Sequence, residues 1–340
     1  MPNKRFINAL KRIPQKTPPI WFMRQAGRYH SHYQNLKKTH SFEELCKTPS
    51  LAAETAMGPI EEFDFDVAIL FSDILFPLQS LGMNLSYSPG PIFESHLNIK
   101  NLKSLFTIKN PISSLEFQGE AIERTLERLP NDKSLIGFIG GPWTLISYAC
   151  GLNKSPSPIS MDEFKLNILE ENILPLLTKN INMQLNAGAE VVMIFDSLAH
   201  QLENKDFSLY LKKIFSPLVD NFPNKVGYYA KDGIDYSLIY SEINSNKTPL
   251  AGLGIDSNES LKDFFPHMNK GFLQGNFSEE LLTLPHHEFI DKLEKYLQNI
   301  ASLSQEETAG WVCGLGHGIL KTTPQTNVRE FIKRTRSIFS

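Results

Sequence analysis

The sequence predicts a single (β/α)8 barrel, and three features of its 340 residues lead there. Eight short β-branched or aromatic runs recur along the chain, helical patterns separate them, and no Pro/Ser/Gly-rich linker or abrupt charge shift divides the whole. Several runs are apolar throughout rather than alternating, as expected of parallel strands covered on both faces. A doubly wound sheet is the second topology compatible with this alternation. Residues 1–340 read as one barrel domain, with 1–17 as a short helical extension at the N-terminus.

The strand candidates are PIWFM (19–23), VAILF (67–71), LIGFI (135–139), EVVMIF (190–195), KVGYYA (225–230), PLAGLG (249–254), GFLQG (271–275) and WVCGLG (311–316). Ser41 with Glu44 forms a capping-box start for one helix. Met161 to Ala187 carries apolar residues at Phe164, Ile168, Leu169, Ile173, Leu176, Leu177, Ile181 and Leu185, a helical stripe. Further helical patterns cover Leu115–Leu129, Asp206–Leu218, Tyr236–Ile243, Glu259–Met268, Ser278–Ile300 and Asn327–Ile338. Residues 82–112, with SPGPIF and little periodicity, read as an excursion beyond the second strand. The uncharged stretch Leu135 to Leu152 reaches membrane length, but Gly140-Gly141-Pro142 falls in its middle, so it reads as strand, turn and helix start.

Composition narrows function mainly by exclusion. With 41% hydrophobic and 21% charged residues the chain has the balance of a globular protein. Lys+Arg number 34 against Asp+Glu 37, a net charge of -3, so no global positive field draws it to nucleic acid or to an anionic membrane. Cys46, Cys150 and Cys313 lie far apart without C-x-x-C spacing or a nearby His pair, which argues against disulfides and structural zinc and suits a reducing cytoplasm. The basic start MPNKRFINALKRIPQK lacks the apolar core of a secretory signal and reads as an exposed short helix.

In such a barrel chemistry gathers where strands end, and the residues there are unusual. The first run leads into Arg24-Gln25-Ala26-Gly27-Arg28, the second into Ser72-Asp73, the third into Gly140-Gly141-Pro142-Trp143-Thr144, the fourth into Asp196-Ser197 and the eighth into Gly316-His317-Gly318. Arg24 and Arg28 offer forked donors to carboxylates, or structural ion pairs with nearby Asp or Glu. Asp73, flanked by apolar residues in ILFSDILF, needs donors that a ligand would supply, or else caps the next helix. The glycines from Gly137 lack the Lys and spacing of a phosphate loop and instead turn the chain into a helix carrying Tyr148, either a core tyrosine or one reaching the mouth. His317 sits in a glycine frame that permits close substrate approach, with no metal-ligand pattern beside it, so hydrogen bonding or proton handling is its expected work.

At these residues the chain resembles a known family. PIWFMRQAGRY (19–29) is similar to the N-terminal signature of the uroporphyrinogen decarboxylase family, and GFIGGPWTLISY (137–148) to its second signature. ILFSDIL (69–75), IFDS (194–197), LQGN (273–276) and LGHGILKTTPQTNV (315–328) match in the same order, so the resemblance spans nearly the whole chain. It implies a barrel, usually dimeric, that works without metal or organic cofactor and converts uroporphyrinogen to coproporphyrinogen by removing four acetate carboxyls. It also implies that Arg24 and Arg28 bind substrate carboxylates within a contacting loop that includes Gln25 and Ala26, and that Asp73 binds the pyrrole N–H groups at the macrocycle centre. Tyr148, Ser197 and His317 would line the cleft, and Asp73, Arg24 and His317 are the catalytic candidates. HSHYQ after Tyr29, Leu198 where Trp is common and Lys321 where Pro is usual depart from the family pattern without removing a site residue. Two other functions fit the same barrel: a cobalamin-linked methyltransferase, whose His-x-Cys arrangement is missing here, and a tetrapyrrole-binding protein without turnover.

Overall fold

A computed structural model describes residues 2–87, 90–156, 158–231, 234–239 and 250–340. Seven parallel strands form one curled sheet: β1 (Val67–Ile69), β4 (Ser134–Gly140), β5 (Val192–Asp196), β6 (Val226–Ala230), β7 (Gly252–Gly254), β8 (Phe272–Phe277) and β9 (Trp311–Leu315), hydrogen-bonded in that order. Every residue of these strands is buried except the partly buried Phe195, in keeping with their unbroken apolar runs. The excursion at 82–112 carries a small antiparallel hairpin, β2 (Leu85–Tyr87) with β3 (Pro91–Phe93), and the short helix Leu102–Leu105.

The eighth position of the ring is filled differently from expectation. The run PIWFM is no strand; it contributes a single parallel bridge, Ile20 to Cys313. Pro18 and Pro19 remove two donors where the strand would begin, so side chains take over part of the ladder. Cys313 N–H donates to the Pro19 carbonyl at 2.9 Å, and Trp21 N–H to the Cys313 carbonyl at 3.1 Å. On the other side Asp66 N–H donates to the Ile20 carbonyl at 3.1 Å, while the Asp66 carboxylate accepts from Ile20 N–H at 2.9 Å and Gln25 Nε2 donates to the Val67 carbonyl at 3.0 Å. The segment thereby joins β9 to β1 and closes the barrel.

Helices pack around the outside, mostly where periodicity places them. The Ser41 capping box is complete, with Glu44 N–H to Ser41 Oγ at 3.1 Å and Ser41 N–H to Glu44 Oε2 at 2.6 Å. The rod expected over 161–187 runs from Glu163 to Asn186 but contains a π-turn at Leu169–Ile173, and Asn204–Asp220 contains another at Leu211–Phe215. Each π-turn ends two residues before a proline, Pro175 or Pro217, whose ring would strike a carbonyl of a regular turn. Pro285 likewise delays the helix expected from 278, which starts as a full α-helix at His286–Ala301. Residues 236–239 are helical, and the remainder of that expected helix, 240–243, lies outside the described residues.

Pro49–Phe63 is a helix over a stretch where the sequence pattern gives no reading; the His32 ring occupies the place where a Cβ on Gly58 would sit, 2.5 Å from its Cδ2. The helix Lys4–Leu10 exists but is not exposed along its inner face, where Phe6 and Ala9 are buried. Phe6 packs on Phe272 at 5.8 Å, Asn3 N–H donates to Ser134 Oγ, and Arg5 pairs with Asp66 at 2.9 Å. Those partners start or precede strands, so this helix covers the amino-terminal end of the barrel and leaves the carboxyl-terminal end for a site.

Candidate active site

The turn after the Ile20 bridge begins at Arg24, whose φ of 60° lies in the left-handed region and throws the chain outward. Ile319 N–H donates to the Met23 carbonyl at 3.0 Å, tying this turn to the loop after β9. Arg24 and Arg28 are exposed, and neither makes an ion pair among the described residues, so the structural ion pairs weighed from sequence are not formed. Between them, Gln25 is buried with its amide nitrogen turned inward to Val67, and Ala26 is half-buried against the core. The Tyr29 hydroxyl donates to the Gln25 carbonyl at 2.7 Å and steadies the loop.

Asp73 follows β1. It does not cap the helix Phe76–Leu81, whose N-cap is Leu75; Oδ1 instead accepts from Leu75 N–H at 2.8 Å and shapes the turn. Burial pushes the carboxyl above its ordinary range, while the Leu75 N–H, the Tyr87 hydroxyl and the Arg24 charge pull the other way. Tyr87 comes from β2, packed by Phe42 at 4.9 Å, and burial followed by the Asp73 charge holds its hydroxyl protonated far above the usual value. Tyr148, half-buried on the helix Pro142–Ala149, is also raised by burial and then by Asp73, with Arg24 opposing. Asp73, Arg24 and Tyr148 therefore share one electrostatic environment.

After β9, Gly316-His317-Gly318 meets the same cluster. A Cβ on Gly318 would lie 2.5 Å from Arg24 Cδ, so the guanidinium stem runs over this glycine. A Cβ on Gly316 would lie 2.3 Å from Ser257 N, which explains the second glycine. His317 is half-buried, its Nδ1 3.0 Å from the Tyr229 hydroxyl, and the two rings lie nearly parallel at 6.0 Å. Ser197 directly follows β5 and is half-buried. The Arg24 charge thus acts on Asp73, the Arg24 stem lies against Gly318 beside His317, and His317 meets Tyr229.

Sequence reasoning did not single out Tyr87 or Tyr229. Tyr87 sits in the aperiodic excursion, where nothing local announces a role. Tyr229 was discoverable from strand alternation: Tyr228 faces outward, packed on Phe215 at 4.6 Å, so its neighbour must face inward. Asp196, at the end of β5, turns away from the barrel interior. Fully buried, it accepts from Thr144 N–H and Oγ1 at 2.8 Å each and from the Tyr210 hydroxyl, anchoring two helices rather than meeting a ligand.

Fold and mouth together define a (β/α)8-barrel protein whose carboxyl-terminal end presents two arginines free of ion pairs among the described residues, beside the half-buried carboxylate of Asp73. The family model described as uroporphyrinogen decarboxylase matches residues 1–338, and the chain belongs to that family. It is 36% identical to a uroporphyrinogen decarboxylase of Orientia tsutsugamushi (strain Ikeda), with 99% of each chain covered. A uroporphyrinogen decarboxylase of Helicobacter acinonychis is 35% identical over 96% of this chain and 97% of its own. Among solved structures, a methyltransferase from Methanosarcina mazei superposes with a TM-score of 0.73 at 18% identity, covering 99% of both chains; this likeness concerns the fold alone.

Proposed function

We infer that this chain is a carboxy-lyase that removes the four acetate carboxyls of uroporphyrinogen to give coproporphyrinogen in tetrapyrrole biosynthesis. The observation that carries the reading is the juxtaposition at the mouth of Arg24, free of ion pairs among the described residues, with half-buried Asp73 and Tyr148, in a chain whose family membership spans its length. Uroporphyrinogen carries many carboxylates outside and N–H donors inside, the complement of such a mouth.

A pyrrole acetate loses carbon dioxide readily once the neighbouring ring α-carbon is protonated. The electron pair of the breaking C–C bond then flows into the cationic ring and leaves an exocyclic methylene. A second proton adds to that methylene carbon and the α-proton departs, so each acetate loses one carbon dioxide and gains one proton overall. Asp73 accepts pyrrole N–H bonds and stabilises the positive charge as it develops. Arg24 and Arg28 grip carboxylates by bidentate bonds and orient the ring, with the backbone of Gln25 and Ala26 shaping the contact loop. Tyr148, Ser197 and His317 surround the reacting acetate, and His317 holds or transfers a proton there.

The chemistry proposed needs no metal or organic cofactor. We further propose that residues 1–340 act as one barrel unit, as a homodimer in the cytoplasm, without nucleic-acid or membrane partners; no described helix is long and apolar enough to cross a membrane. A thiol-activating methyltransferase is disfavoured at Cys313, which is fully buried with Sγ 3.9 Å from Thr335 Oγ1. The test is anaerobic incubation with uroporphyrinogen and a strong chelator, followed by mass analysis. Stepwise loss of carbon dioxide is expected. Tight binding without any mass loss would favour the tetrapyrrole-binding alternative, and activity restored only by added metal would overturn the cofactor-free reading.

A further inference from the structure

We propose that Tyr229 is a positioning residue that holds neutral His317 in the tautomer with its proton on Nδ1. The Tyr229 hydroxyl oxygen lies 2.9 Å from the Gly316 carbonyl oxygen and 3.0 Å from His317 Nδ1. A carbonyl only accepts, and a phenol carries a single hydrogen. Were that hydrogen given to Nδ1, the buried Gly316 carbonyl would lose its donor from Tyr229. Both contacts are satisfied together when Tyr229 donates to Gly316 and accepts from Nδ1–H. The arrangement is rigid: Tyr229 is 1% exposed, its register partner Phe195 packs on it at 6.2 Å, and a Cβ on Gly254 would lie 3.0 Å from its ring. The nearly parallel stacking of the two rings fixes the imidazole plane as well.

The consequence concerns which nitrogen titrates. With Nδ1–H committed to Tyr229, Nε2 carries a lone pair when the ring is neutral and an N–H only when the ring is a cation. Donation to a substrate carboxylate at Nε2 is thereby coupled to protonation, and the donor that holds the acid group is one that can also surrender a proton. Without the hydroxyl, Nδ1–H loses its acceptor from Tyr229, and the neutral form with its hydrogen on Nε2, which donates without being charged, gains population. This catalytic half rests on the reading of His317 as a residue that touches substrate; the tautomer itself does not.

The test is two-bond proton–nitrogen correlation spectroscopy on the full-length protein with isotope-labelled histidine, at a pH that leaves the imidazole neutral. The His317 signals are assigned by their disappearance in His317→Asn. In the wild type the pattern should be that of Nδ1–H; in Tyr229→Phe, which keeps the ring stack, the ratio should move about tenfold towards Nε2–H. A wild-type Nε2–H pattern overturns the proposal, even if Tyr229→Phe fails to fold. Decarboxylation by Tyr229→Phe is then read separately. A fall of about tenfold in kcat supports the coupling, and unchanged turnover beside the expected tautomer shift overturns the catalytic half alone.

Discussion

Asp73 brings sequence and chemistry closest together. Its flanking apolar residues make an unsatisfied carboxylate expensive, and its Leu75, Tyr87 and Arg24 neighbours offset only part of that cost. Asp73→Asn keeps the shape and removes the charge, so kcat should fall by about a hundredfold or more while the melting temperature stays within a few degrees. Near-normal turnover in that variant would remove Asp73 from the role of cation stabiliser. Arg24 makes a second case. Lysine retains the charge but loses the fork, so Arg24→Lys should raise KM about tenfold with little change in stability. Gly318→Ala provides an independent check, because its methyl would enter the space of the Arg24 stem. It should mimic the KM increase, whereas unaltered kinetics would show that the path of Arg24 over this glycine is immaterial.

At the scale of elements, strand endings decide what reaches the mouth and strand beginnings decide stability. The helix Lys4–Leu10 belongs to the second group, since Phe6 fills space against Phe272 at the opposite end from Asp73. Phe6→Ala should cost about 3 kcal/mol of unfolding free energy in a urea titration, from lost burial and the cavity left behind. KM should not move, and a selective loss of substrate affinity would mean that the two ends communicate. The prolines explain why element boundaries were harder to read than element types. Pro175 and Pro217 do not end their helices, because a widened π-turn ahead of each accommodates the ring. Local propensity does not announce that solution; it depends on a helix already held by packing.

For the whole molecule, closure depends on a charged seam at the amino-terminal end. Lys133 and Arg336 both bond Asp64, and Arg5 and Asn3 bond Asp66, joining the first helix, the starts of β1 and β4 and the last helix. Burial pushes the Asp64 carboxyl upward, but hydrogen bonds from Lys133 and Arg336 outweigh it and leave the net shift downward. A carboxyl whose folded value lies below its unfolded value stabilises the fold fully above the unfolded value, and that stability is lost as pH falls through the folded one. Asp64 is more than half exposed, so solvent screens the pair and the expected magnitude is less than about 1 kcal/mol at neutral pH. Urea titrations should show wild type more stable than Asp64→Asn at neutral pH, with the gap closing on acidification below the ordinary carboxylate range. A gap that widens in acid would reverse the sign argued here.

The class of fold, the approximate span of most helices and the loops carrying Arg24, Asp73 and His317 were legible in the chain. Unbroken apolar runs between helical patterns suit parallel strands covered on both faces, and polar residues directly after them fall at the barrel mouth. The first run was misread as a strand because its apolar residues suit one, while its prolines forbid the full ladder; only the tertiary structure supplies Asp66 and Gln25 to bond in their place. Choosing between ion pairs and exposed guanidiniums for Arg24 and Arg28, or between helix cap and turn for Asp73, likewise required knowing what stands across the barrel. Tyr229 lies 88 residues from His317, and the path of Arg24 over Gly318 spans most of the chain. Local sequence determines what each segment can form, because periodicity and backbone restriction act over a few residues. Which side chains meet at the site is settled by ring closure, which brings together segments that are remote in sequence.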